Sequence, residues 1–120
     1  MNKILTRAEE AIMQTLWQLQ KAGLREIVEN MAYPKPHSNT VATILKILAE
    51  KGFVTIEPIG RMNFYSPAIT KEEYSDRRIT GIAEAYFDGS YNKIISYMAE
   101  SKKVNISDLE LLIAQLKNKE

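Results

Sequence analysis

Ser38-Asn39-Thr40-Val41-Ala42-Thr43-Ile44-Leu45-Lys46-Ile47-Leu48-Ala49-Glu50-Lys51-Gly52 is the stretch on which the fold turns. Val41, Ile44, Leu45 and Leu48 recur at helical spacing and form one apolar stripe. Ser38 is a suitable N-cap, and Lys51-Gly52 is a suitable stop. Just before it, Tyr33-Pro34-Lys35-Pro36-His37 cannot be helical, because each proline biases the residue before it towards extended backbone. A short helix therefore begins afresh after a turn, and its other face carries Asn39, Thr40, Ala42, Thr43, Lys46 and Glu50.

Towards the N-terminus the same grammar repeats. Leu24, Ile27, Val28 and Met31 predict a short helix over 24–31. Thr6-Arg7-Ala8-Glu9 is a capping box, and Ala8, Ile12, Leu16 and Leu19 follow at helical spacing, widened by Met13 and Trp17. That helix runs from Arg7 to about Gln20, with Ala22-Gly23 as its stop. A lone tryptophan on such a stripe reads as core, not as a ligand-stacking residue.

Towards the C-terminus the period changes. Phe53-Val54-Thr55-Ile56-Glu57, the turn Gly60-Arg61, and Met62-Asn63-Phe64-Tyr65-Ser66-Pro67 read as a β-hairpin. Pro58 and Pro67 mark strand ends or an edge. Thr70-Lys71-Glu72-Glu73 is a second capping box and starts a helix to about Phe87; Asp88-Gly89 stops it. Ser90 can cap the next helix, which runs to about Ser101, and Ser107-Asp108-Leu109-Glu110 reads as a third capping box.

Three helices and a hairpin are the layout of a winged helix-turn-helix, whose third helix lies in the major groove of DNA. The pattern alone leaves another small α+β fold equally open. The fold class expected is mostly α with a small β-hairpin, divided into a winged-helix domain over 1–69 and a three-helix dimerisation module over 70–120. A helical segment that short seldom holds a core without metals, disulfides or association. A core shared between two copies is the economical answer, with Ile79, Ile82, Tyr86, Ile94, Ile95, Met98, Leu109, Leu112, Ile113 and Leu116 as its candidate residues. Tyr74, Tyr86, Tyr91 and Tyr97 read as packing and interface residues.

Composition narrows the function. The chain has 120 residues, no cysteine and one histidine. Disulfide frameworks, thiolate metal sites and histidine-rich metal sites are excluded, and no cofactor is expected. No apolar run approaches the ~18–20 residues of a membrane span, and no signal-peptide core follows Met1, so a cytoplasmic protein without lipid contact is expected. There is no Gly-rich phosphate loop, nucleophile elbow or HExxH, so no enzyme is expected. Residues 1–69 hold 8 basic and 6 acidic residues, net +2, whereas residues 70–120 hold 8 and 9, net −1. A small local cationic surface is compatible with DNA even though the whole chain is near balance.

Leu5-Thr6-Arg7-Ala8-Glu9 with Ile12-Met13 and Leu16-Trp17 resembles the start of the BlaI/MecI family of penicillinase-type repressors. So does Thr40-Val41-Ala42-Thr43-Ile44-Leu45-Lys46 with Leu48 and Lys51-Gly52, continuing through the hairpin to Tyr65-Ser66-Pro67, and more loosely Phe87-Asp88-Gly89-Ser90. The resemblance implies a bacterial transcriptional repressor that binds a dyad-symmetric, double-stranded DNA operator as a homodimer. The residues it nominates for DNA are Ser38, Asn39, Thr40, Ala42, Thr43 and Lys46 on the third helix, Arg61 at the wing tip, and Lys35 and His37 before the helix. Relatives often carry basic residues where Ala42 and Ile47 stand. The β-lactam regulators of this family are induced by proteolytic cutting, which implies a membrane sensor-protease as a partner. The equivalent stretch here is near Tyr97-Met98, in place of the Asn-Phe pair of those relatives. The cysteine cluster of the copper-responsive relatives has no counterpart. Two other readings stay open on the residues alone: a winged-helix module that binds protein, and a repressor gated by a small ligand.

Overall fold

The computed structural model describes residues 4–119. Its elements, in chain order, are α1 (Arg7–Leu19), β1 (Ala22–Gly23), α2 (Leu24–Glu29), α3 (Ser38–Glu50), β2 (Val54–Ile59), β3 (Met62–Pro67), α4 (Lys71–Tyr86), α5 (Tyr91–Glu100) and α6 (Ile106–Asn118). The chain divides into two compact units between Arg77 and Arg78. The first half of α4 thus packs with the first unit.

In the first unit, α1 supplies Ile12, Met13, Leu16 and Trp17 to one core, α2 supplies Ile27, and α3 supplies Val41, Leu45 and Leu48. The sheet closes the core with Val54 and Tyr65, and Phe53, Ile69 and Tyr74 complete it. Each such side chain contributes roughly 1.5–3 kcal/mol when fully buried. Ala8, expected on the α1 stripe, is exposed, and Glu9 takes an inward position instead.

The first capping box forms as expected. The Glu9 N–H donates to Thr6 Oγ1 at 3.2 Å, and the Thr6 N–H donates to Glu9 Oε1 at 2.8 Å. The other Glu9 oxygen accepts from Lys51 Nζ at 2.8 Å, tying the start of α1 to the end of α3. Glu9 is 4% exposed. Burial pushes its carboxyl up, but the Lys51 hydrogen bond, the Thr6 backbone N–H and the Lys51 charge together hold it below its ordinary value. A carboxylate lowered on folding stabilises the protein fully above the ordinary carboxylate range and loses that contribution as pH falls through the folded value. Glu9→Gln is therefore expected to cost about 1–2 kcal/mol at pH 7. The gap from wild type should shrink towards pH 3 in urea titrations, because protonation then disarms the wild type too. A gap that stays constant with pH would show that the charge contributes nothing.

Three local expectations are corrected. The sheet has three strands in the order β1-β3-β2, not two. Ala22-Gly23, expected only to stop α1, pairs antiparallel with Tyr65 and Phe64. α1 ends at Gln20, whose φ of 68° turns the chain so that the next residues lie along β3. The edge position expected for Pro58 is borne out: β2 runs on through it to Ile59 as an edge strand, where a missing N–H costs no ladder bond. The cap of α3 is His37, not Ser38, and the cap of α6 is Asn105, not Ser107. In both, the earlier side chain accepts from the backbone N–H two residues on: Asn39 N–H to His37 Nδ1 at 3.1 Å, and Ser107 N–H to Asn105 Oδ1 at 2.8 Å.

The second unit is built differently. Asp88 and Gly89 both have positive φ, 53° and 73°, and end the α4 segment. Ser90 Oγ accepts from the Lys93 N–H at 3.2 Å and starts α5 as expected. The Lys93 ammonium lies 2.6 Å from Asp88 Oδ2 and holds that carboxyl below its usual range. Phe87 packs on Tyr97 with ring centroids 5.8 Å apart. Among the described residues of this unit, the only buried apolar side chain is Ala83.

Candidate nucleic-acid interface

α2 and α3 are joined by residues 30–37, a turn fixed by its own side chains. Asn30 Nδ2 donates to the Glu26 carbonyl at 2.8 Å. Lys35 Nζ donates to the carbonyls of Glu29 at 2.7 Å and Met31 at 2.9 Å. A cation at the C-terminal carbonyls of a helix is favourable, because those carbonyls lack partners and carry partial negative charge. Lys35, nominated for a phosphate, thus closes α2 and shapes the turn. His37, nominated beside it, has its Nδ1 occupied as the α3 cap.

The stripe of Val41, Leu45 and Leu48 buries one side of α3. The opposite side leaves Ser38, Asn39, Thr40, Thr43, Lys46, Ile47 and Glu50 exposed and Ala42 half-buried. The Thr43 hydroxyl donates to the Asn39 carbonyl at 2.9 Å. The oxygen lone pairs and the methyl remain to meet a neighbour.

The wing is the β2–β3 hairpin. Ile59 pairs with Met62 across the turn Gly60-Arg61. Gly60 has φ 63°, a backbone that glycine adopts without strain at the first position of a two-residue hairpin loop. Arg61 is exposed at the tip, flanked by exposed Ile59 and Met62. In the first unit the ion pairs engage Lys21, Arg25 and Lys51. Among the described residues, Lys46 and Arg61 have no carboxylate within salt-bridge reach, so both are available to an anion.

Other features bear less on this face. An open groove of about 610 Å³ is lined by α1 and the β3–α4 corner, including Gln14, Trp17, Gln18, Ile69 and Glu72, and by no residue of α3 or the wing tip. Among the described residues there is no cluster of three or more His, Asp or Glu that could hold a metal. No described helix is long and apolar enough to cross a membrane. Of the residues nominated for a shared core, Ile79, Ile82, Tyr86, Ile95, Leu112, Ile113 and Leu116 are exposed in the single chain. Ile94, Met98 and Leu109 are half-buried. Tyr97 and Met98 lie inside α5, not in a loop.

Two further side chains near this face are exposed. Ile47 was noted only for the basic residue it replaces, yet it is a large apolar side chain exposed on the outward face of α3. Tyr33, 89% exposed in the turn before α3, was not nominated at all. The first could have been found by placing every residue of 38–51 on the helix, apolar ones included.

Comparison with known proteins agrees with this geometry. The penicillinase repressor of Bacillus licheniformis is 22% identical over 119 residues, covering 96% of this chain and 93% of that protein. Among solved structures, that of Bordetella bronchiseptica BpsR, described for regulation of its DNA binding by 6-hydroxynicotinic acid, superposes with a TM-score of 0.51 at 13% identity. It covers 97% of this chain and 76% of that one. TrmBL2, an archaeal chromatin protein, superposes with a TM-score of 0.50 at 20% identity, covering 93% of this chain and 37% of that one. At those identities the structures speak to the winged-helix fold. The family model described as penicillinase repressor matches residues 5–118, and the chain belongs to that family.

Proposed function

We propose that this DNA-binding transcriptional repressor acts as a cytoplasmic homodimer on a dyad-symmetric operator, with α3 in the major groove and the wing on the flanking backbone. The observation that carries this reading is the outward face of α3. Apart from Ile47 and the half-buried Ala42 it is polar and exposed, its stripe is sunk in the core, and the unpaired cations Lys46 and Arg61 stand on it and on the wing. Threonine and asparagine there can meet base edges, whereas Lys46 and Arg61 can meet phosphate. The fixed turn over 30–37 sets the angle at which α3 is presented.

The second unit is read as the dimerisation module. Its helices expose the apolar residues that a second copy can cover, and a two-fold dimer would present two copies of α3 one helical turn apart on DNA. Induction by proteolytic cutting near Tyr97 and Met98, by a membrane sensor-protease, follows from the resemblance. A protease that binds extended chain would first have to unwind that turn of α5.

A mobility shift on the protein's own upstream region, titrated with salt, tests the reading. The slope of log K against log salt is expected to be about −0.9 per neutralised phosphate. Thr43→Ala and Arg61→Ala are each expected to weaken binding roughly five- to tenfold, with Arg61→Ala alone lowering the salt slope by about 1 per copy. No shift at low salt would favour a protein-binding module instead. Full binding by both variants would move the contacts to another surface.

A further inference from the structure

Ile47 stands out on α3. It is 39% exposed, on the side facing away from the core, one turn after Thr43 and beside Lys46 and Glu50. A single branched side chain, with exposed Thr43, Lys46 and Glu50 near it on the helix, is far smaller than the apolar patches on which proteins dock. It does match a methyl group. In the major groove the thymine C5-methyl is the one apolar mark on a base edge, and apolar side chains read it.

Thr43 points the same way. While it donates to the Asn39 carbonyl, the hydroxyl offers a neighbour its lone pairs. It suits an exocyclic amine, and its methyl suits thymine. On this face neither Thr43 nor Ile47 can give the bidentate guanine contact that an arginine gives.

We propose that Ile47, together with the methyl of Thr43, is a specificity-determining contact that reads thymine C5-methyl groups, so each half-site carries thymine where α3 crosses it. This rests on the DNA-binding reading of α3.

The probe is a duplex enriched by the full-length protein from a random pool. Replacing its thymidines one at a time by deoxyuridine removes only the C5-methyl. At one or two positions per half-site, wild-type affinity is expected to fall about three- to fivefold, the worth of one buried methyl-sized contact. Ile47→Ala is expected to bind the parent duplex more weakly by a similar factor and to be indifferent to uracil at those positions. Its exposure means the fold tolerates the change, which a thermal melt checks. If no duplex is enriched or shifted at low salt, the DNA-binding reading itself fails and this assignment with it. If the duplex binds but no uracil weakens it, or if Ile47→Ala remains as sensitive as wild type, the role of Ile47 is overturned while the DNA-binding reading stands.

Discussion

Trp17→Ala is expected to lower the stability of the first unit by about 3–5 kcal/mol, a large share of the roughly 5–15 kcal/mol that keeps a domain folded. The indole is 7% exposed, and its Nε1–H donates to the Ile69 carbonyl at 2.9 Å. Its ring lies 5.9 Å from that of Tyr74, centroid to centroid, and Tyr74 stands edge-on to Phe53 at the same distance. The Tyr74 hydroxyl accepts in turn from the Leu5 N–H at 2.9 Å. The tryptophan thus clamps α1 to the start of α4 and to the chain entering α1. Truncation would remove the largest side chain of the core and leave a buried carbonyl without its donor. Trp17→Phe keeps one six-membered ring but loses the donor and the pyrrole part of the indole, so it is expected to cost about 1–3 kcal/mol. Urea titrations followed by far-UV circular dichroism measure both. A wild-type midpoint for the alanine variant would exclude the clamp.

That clamp also shows what the sequence could disclose. The helical period around Trp17 placed it on the inner stripe, because a stripe is a local property of spacing. The capping boxes at Thr6/Glu9 and Thr70/Glu73 were legible for the same reason: each needs only four consecutive residues, and both form. What stayed hidden depends on partners distant in the chain. β1 is two residues long and exists only because Phe64 and Tyr65 lie beside it. The inward turn of Glu9 depends on Lys51, 42 residues away. His37 and Asn105 displaced the expected caps through competition between neighbouring acceptors, which spacing does not decide. The two carbonyl partners of Lys35, at Glu29 and Met31, depend on how the turn folds back, which its charge alone does not tell. For α3, the apolar period told which side is exposed, but it did not tell that Ile47 lies on that side together with the polar residues.

Replacing Leu112 and Ile113 together by aspartate is expected to raise the dimer dissociation constant by at least about a thousandfold. Both are exposed in the single chain, by 49% and 46%, and α6 has no buried residue. In an isolated chain such surface changes would shift stability by only about 0.5 kcal/mol. In a shared core the same changes place four unpaired carboxylates per dimer out of water, each costing several kcal/mol unless the interface opens. The two cases therefore separate sharply. Because the chain has one tryptophan, in the first unit, Trp17 fluorescence reports that unit's unfolding independently of association, and its melt should be unchanged. Sedimentation should show dimer for the wild type and monomer for the variant at micromolar concentration. Operator affinity should fall by roughly 10²–10⁴, since the second copy of α3 is no longer delivered at the high effective concentration that linkage provides. A wild-type chain that sediments as a stable monomer, or a variant that keeps both dimer and operator affinity, would mean that the exposed stripe of α6 is covered by something other than a second copy.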